Sequence, residues 1–169
     1  MAGLRRGALY PQWVNSPDAI TRLVWNEYGK LPFEPRETDA ALREASRRLR
    51  CRATAGPPDP YRSFTTLGYR DSSGHHVGTL LLRQNMVALV HPDDTDALMT
   101  GRRYLGAGRL WDALSATGQL LMLGPEWLSA DLTAPERQLL LASPDAWEAY
   151  SVRYWKPQTR GDALFNGWD

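Results

Sequence analysis

The sequence predicts an α+β fold: a small three-stranded antiparallel meander, about residues 63–91, packed with N-terminal and C-terminal helices. Three observations carry this expectation. Strand-like segments at Ser63–Arg70, His76–Arg83 and Met86–His91 are separated by the turn sequences Asp71-Ser-Ser-Gly74 and Gln84-Asn85. The flanking segments place apolar residues at helical spacing. Several of those segments open on capping residues, which mark helix starts independently of periodicity.

Ser16-Pro17-Asp18 puts a capping hydroxyl before a proline at the first helical position, with acid in the first turn. A helix from Pro17 to Tyr28 follows, ended by Gly29, with Ile20, Leu23 and Val24 as its apolar stripe. A second helix spans Pro35–Leu49 and buries Ala41, Leu42, Ala45 and Leu49. Its early Glu37 and Asp39 and late Arg47, Arg48 and Arg50 complement the macrodipole. Residues 55–60, Ala-Gly-Pro-Pro-Asp-Pro, form a stiff connector inside one α+β domain of residues 1–169. In the meander, the unbroken apolar run Met86–Val90 predicts a strand covered on both faces.

Everything after Pro92 reads as helical. The glycines of Gly101-Arg-Arg-Tyr-Leu-Gly106-Ala-Gly108 form a hinge before a helix at Leu110–Ser115. Thr133-Ala-Pro-Glu136 is a capping box before Leu139–Leu141, and Ser143-Pro144-Asp145 opens a helix that ends before Pro157. Thr159 and Asp162 cap one last turn.

Composition narrows the setting. Of 169 residues, 43% are hydrophobic and 23% charged, ordinary values for a globular chain. The lone Cys51 excludes an internal disulfide framework and fits a reducing, cytoplasmic location. No apolar run approaches the ~20 residues of a membrane-spanning helix, so no membrane partner is expected. The formal charge of +1 conceals an asymmetry: residues 1–70 carry 12 basic and 7 acidic side chains, and residues 71–169 carry 8 and 12.

Four groups of residues are candidates for function. Trp147, Tyr150 and Tyr154 fall at i, i+3 and i+7, one helical stripe, and Trp155, Phe165 and Trp168 extend an aromatic C-terminal segment. Such rings serve a core or a binding surface. Arg43, Arg47, Arg48, Arg50 and Arg52 form a basic cluster suited to phosphates, although Glu44 stands one turn from Arg48 and favours surface pairing. His75 and His76, beside a turn, and His91 with Asp93, at a strand end, are the weak catalytic candidates, as in a small histidine-dependent enzyme such as a nuclease. Asp93, Asp94 and Asp96 also read as the cap of a following helix. The glycine loop with Arg102, Arg103 and Arg109 lacks the Lys-Ser/Thr of a P-loop. Cys51 stands between Arg50 and Arg52, whose charge would lower its pKa, but no oriented base is evident.

No catalytic motif, metal-ligand spacing or cofactor fingerprint is recognisable, so no cofactor and no metal are expected. The leading expectation is a non-catalytic interaction or accessory protein that binds another protein through its aromatic C-terminal surface. The alternative is a nucleic-acid-associated accessory protein acting through the arginine helix at residues 35–52.

Overall fold

Leu80, Leu81 and Leu82 point to alternate faces of a strand, so burying all three requires cover on both sides of the sheet. The computed structural model, which describes residues 19–29, 34–59, 62–95 and 100–167, provides that cover. Its elements run α1 (Ala19–Tyr28), α2 (Pro35–Leu49), β1 (Cys51–Ala55), β2 (Thr65–Asp71), β3 (His76–Arg83), β4 (Met86–Val90) and β5 (Tyr104–Leu105), and continue through α3 (Arg109–Ser115), β6 (Leu121–Met122), α4 (Pro125–Ser129), α5 (Ala134–Leu141), α6 (Ala146–Trp155) and α7 (Arg160–Leu164). The fold is α+β.

The expected meander β2–β3–β4 is present and antiparallel, but the sheet is larger than three strands. Its order is β1-β2-β3-β4-β5, and β6 pairs with β4 in parallel beside the other end of the same strand. Strands β5 and β6 also correct the expectation that everything after Pro92 is helical. Each has two residues, too short to show an alternating pattern. Strand β1 starts one residue after α2 because Arg50 adopts a left-handed backbone, φ 50°, and donates its N–H to the Arg47 carbonyl. Residues 55–60 therefore belong to the link between two paired strands; Pro60 lies outside the described residues.

One sheet face packs Leu67, Tyr69, Leu80, Leu82 and Leu89 against Ala41 and Ala45 of α2 and Leu110 and Leu114 of α3. Gly78 is required there, since a Cβ would stand 2.6 Å from Leu110 Cδ2. The other face packs Leu81, Met86, Ala88 and Val90 under α1 and α4–α7, with Ile20, Leu128, Leu140, Val152 and Phe165. Every residue of β4 is buried, as its unbroken apolar run predicts.

Helix boundaries follow their caps. Helix α2 has the expected limits, with Ala41 and Ala45 buried and Leu42 and Leu49 half-buried. Thr133 and Thr159 each complete a capping box, with Glu136 and Asp162. Within the expected Ser143-Pro144-Asp145 start, Asp145 caps α6: its carboxylate accepts from the amides of Trp147 (2.9 Å) and Glu148 (3.2 Å). The Ser16-Pro17-Asp18 start of α1 lies outside the described residues, while Gly29 ends that helix at φ 58°.

The C-terminal segment is tied down by side chains from three strand ends. Arg83 donates to the Leu164 carbonyl (3.1 Å) and Arg102 to that of Phe165 (2.6 Å). The Ser63 hydroxyl donates to Leu164 O (2.8 Å), and the Ser63 amide to Asn166 O (2.9 Å). Phe165 is fully buried, edge-on to Phe64 at 5.9 Å. Of the six candidate aromatics, Phe165 thus belongs to the core, and Trp168 lies outside the described residues. Replacing a fully buried phenylalanine with alanine removes about 3–5 kcal/mol. Phe165→Ala should therefore lower the melting temperature by on the order of 10 °C. A thermal melt unchanged by this substitution would contradict the burial of the ring.

Candidate functional site

Helix α6 is built inside-out. A helix on a core normally turns its aromatic residues inward and its charges to water. Here Glu148 and Ser151 face inward, 6% and 0% exposed, beside Ala149 and Val152. Trp147, Tyr150, Tyr154 and Trp155 face outward, 50%, 51%, 64% and 41% exposed. The inward orientation is held by Glu148, whose carboxylate accepts from the Ala19 amide at 3.3 Å and lies 3.6 Å from Arg83 Nη2.

The exposed rings are ordered against one another. Trp147 and Tyr150 stack at 5.6 Å with planes 25° apart, and Tyr150 and Tyr154 at 6.0 Å and 15°. Trp155 meets Tyr154 edge-on at 5.1 Å. With each ring showing roughly half of its ~150–250 Å², the stripe presents ~300–500 Å² of contiguous aromatic surface, the size of a typical functional patch. Because the rings already fix one another, little side-chain entropy remains to be lost on binding. The charged side chains beside them on the exposed face are Arg153 and Lys156. Helix α6 ends there, with Lys156 in a left-handed conformation ahead of Pro157.

The histidines occupy separate settings. His75 sits in the turn before β3, its Nδ1 2.8 Å from Ser73 Oγ and 3.7 Å from Asp71. His76 directs Nε2 to Thr79 Oγ1 at 2.7 Å. His91 and Asp93 do come together, Nδ1 to Oδ2 at 3.3 Å, but Arg103 Nη2 approaches the same Nδ1 at 2.9 Å. A guanidinium is only ever a donor, so Nδ1 accepts and the neutral ring's proton resides on Nε2. That arrangement leaves His91 no free lone pair with which to act as a base. Among the described residues no hydrogen bond or ion pair links His91 to His75 or His76, and no three His, Cys, Asp or Glu side chains gather as a metal cluster.

Asp94 serves structure at this strand end. It accepts from the Arg103 backbone amide (2.7 Å) and twice from its guanidinium (3.0 and 2.8 Å), closing the loop between β4 and β5. Asp96, the remaining acid of that run, lies outside the described residues. Two of the glycine loop's three arginines are thus occupied, Arg102 by Phe165 O and Arg103 by Asp94.

In the basic cluster, Glu44 binds both Arg47 and Arg48, so these two arginines form surface pairs along α2. Arg43, Arg50 and Arg52 are exposed. The Cys51 thiol is pushed up by burial, which outweighs the Arg109 charge that pulls it down; the expected lowering does not occur.

Three features escaped the sequence reading. The buried charges Arg83 and Glu148, and the position of Arg70 beside Arg52, depend on tertiary contact. One signal was present: Arg83 ends the apolar run Leu80-Leu81-Leu82 in a doubly covered strand, where a charge requires a buried partner.

Comparison with known proteins finds no matching family model, no matching curated protein and no matching solved structure.

The Asp94–Arg103 bonds have a pH signature. Hydrogen bonds from the Arg103 side chain, then from its backbone, hold the Asp94 carboxyl down from 3.8 to about 2. A depressed carboxylate contributes stability that is complete above its unfolded value and is lost as pH falls through its folded value. Asp94→Asn should therefore melt below wild type at neutral pH, and the gap should close as pH falls from about 4 to about 2. A gap independent of pH would contradict the charge-assisted bond.

Proposed function

We propose that this protein is a non-catalytic interaction module that binds another protein through the outward face of α6. The observation that carries the reading is the inversion of that helix: buried Glu148 and Ser151 on one side, and four ordered, half-exposed aromatic rings on the other. Large aromatic anchors that are rigid before binding are the usual centres of binding energy at protein interfaces. Arg153 and Lys156 at the rim favour a partner segment with apolar side chains flanked by acidic ones. An intracellular setting rests on the single cysteine, which is free. No helix among the described residues is long and apolar enough to cross a membrane.

Because the rings are outside the core, removing them should leave the fold intact. The variant Trp147→Ala/Tyr150→Ala/Tyr154→Ala should melt within a few degrees of wild type and lose affinity for the partner recovered with wild-type protein. Hot-spot aromatics contribute roughly 2 kcal/mol or more each, so the loss should exceed tenfold. Arg153→Glu with Lys156→Glu should slow association, most at low salt. Partner binding unchanged in the triple variant would remove α6 as the docking face, whereas a collapse of the melting temperature would reassign the rings to stability.

A further inference from the structure

The uncovered corner of the sheet carries a second constellation, formed by strand register. Arg52 of β1 pairs directly with Arg70 of β2, so two guanidiniums leave neighbouring strands on the same face. Like charges directly opposite each other destabilise a sheet unless something neutralises them. No acid does so here: among the described residues neither arginine meets a carboxylate, and Arg70 donates one N–H to Gly74 O at 2.9 Å. Asp71, next in sequence, is turned into its own turn, accepting from Ser73 and from the His75 amide.

A β-bulge adds a third group to the row. Tyr69 pairs with Gly78 and Arg70 with His76, so Val77 is skipped. The extra residue brings His76 onto the face of Arg70 and Arg52, where its Nε2 meets Thr79 Oγ1. Bulges commonly re-aim a side chain in this way next to a site. Thr79 occupying Nε2 leaves Nδ1 as the ring's other polar atom.

The next row of the same face is Thr54, Gly68 and Thr79. A Cβ built on Gly68 meets nothing within 4 Å, so the space above the central strand is open. Strands stand about 4.8 Å apart, so Arg52 and His76 flank a span of about 10 Å centred on Arg70. A floor without a side chain, with two guanidiniums and an imidazole beside it and the exposed Thr54 at one edge, suits a tetrahedral oxyanion held by charged donors.

We infer that Arg52, Arg70 and His76, over the open floor at Gly68, form a binding site for a phosphate group. The inference is independent of the α6 reading, because it involves other strands, other residues and another ligand chemistry. The phosphate has two sources, a small phosphorylated molecule or the backbone of a single-stranded nucleic acid. Both share the same chemistry at this site.

The test follows backbone amide NMR shifts of full-length protein during titration with inorganic phosphate at constant ionic strength. Shifts should concentrate at Thr54, Gly68, Arg70 and His76. Arg52→Gln/Arg70→Gln should weaken binding roughly tenfold or more, the scale of losing charge-assisted hydrogen bonds. Gly68→Val keeps every charge and favours a strand, so weakened binding by this variant separates a shaped site from diffuse attraction. A parallel titration with an unphosphorylated-end oligonucleotide distinguishes the sources. Tighter binding than phosphate, lost in the double-arginine variant, assigns the site to nucleic-acid backbone; no gain over phosphate assigns it to a small phosphorylated ligand. Phosphate shifts spread over the whole surface, or unaltered by the double-arginine and Gly68→Val variants, would overturn the site.

Discussion

The structure depends on two buried arginines and one buried glutamate. A guanidinium removed from water is tolerated only if nearby groups replace its hydration. Arg83 meets this demand in part with the Glu148 carboxylate at 3.6 Å and the Leu164 carbonyl, and Arg102 with the Phe165 carbonyl and the face of Phe64, 5.4 Å from its ring centre. Glu148 in turn accepts from the Ala19 amide. One polar node thereby joins the first residue of α1, the end of β3, the inner face of α6 and the C-terminal carbonyls of α7. Removing any one partner would strand a charge in the interior, which is far more damaging than the pair is stabilising. The node therefore specifies which arrangement of these helices is permitted.

The rotation of α6 follows from that requirement. Successive helical residues lie about 100° apart, so fixing Glu148 toward Arg83 carries Ser151 and Val152 inward with it. Trp147, Tyr150 and Tyr154 are then on the opposite side whatever their apolarity. A stripe of three rings at i, i+3 and i+7 would ordinarily be the buried stripe. A single buried carboxylate reverses it. The exposed stripe is thus a geometric consequence of the core, and its rings find partial shelter only in one another.

This explains which parts of the fold were legible in the sequence. Caps and turns act within a few residues: Thr133 with Glu136, Thr159 with Asp162, and Asp71 through Gly74 have the same meaning in any tertiary context. Strand β4 was legible because five apolar residues in a row between turns leave few alternatives, and β3 because Leu80-Leu81-Leu82 lies between two turn sequences. Strand β1 was not, since Cys51-Arg-Ala-Thr-Ala55 alternates only weakly and is defined by pairing with β2, at least 12 residues away in register. The aromatic stripe was legible as a stripe, but its outward direction was set by Glu148 and Arg83, which lie 65 positions apart. The arginine helix was legible only in its local pairs. The i, i+4 spacing of Glu44 and Arg48 was readable, and the structure adds Arg47 to the same carboxylate; what charge in sequence does not reveal is that Arg52 faces Arg70 on the neighbouring strand.

The same node also determines what stays uncovered. Helices α1 and α4–α7 converge on β3 and β4, where Arg83 binds the Leu164 carbonyl. Helices α2 and α3 take the opposite face. On the side of the C-terminal helices none of the described residues roofs the corner formed by β1 and β2, where Arg52, Thr54 and Arg70 are exposed and a Cβ on Gly68 would meet nothing within 4 Å. An open edge strand invites unwanted pairing with other strands, and charge on it is a known defence. That defence accounts for Arg52 on the edge strand itself. It does not account for Arg70 on the inner strand, nor for a bulge that turns His76 toward it, since neither side chain lies on the free edge. The excess of positive charge in the first 70 residues is thus partly concentrated, by register, on a sheet surface that the described residues leave open.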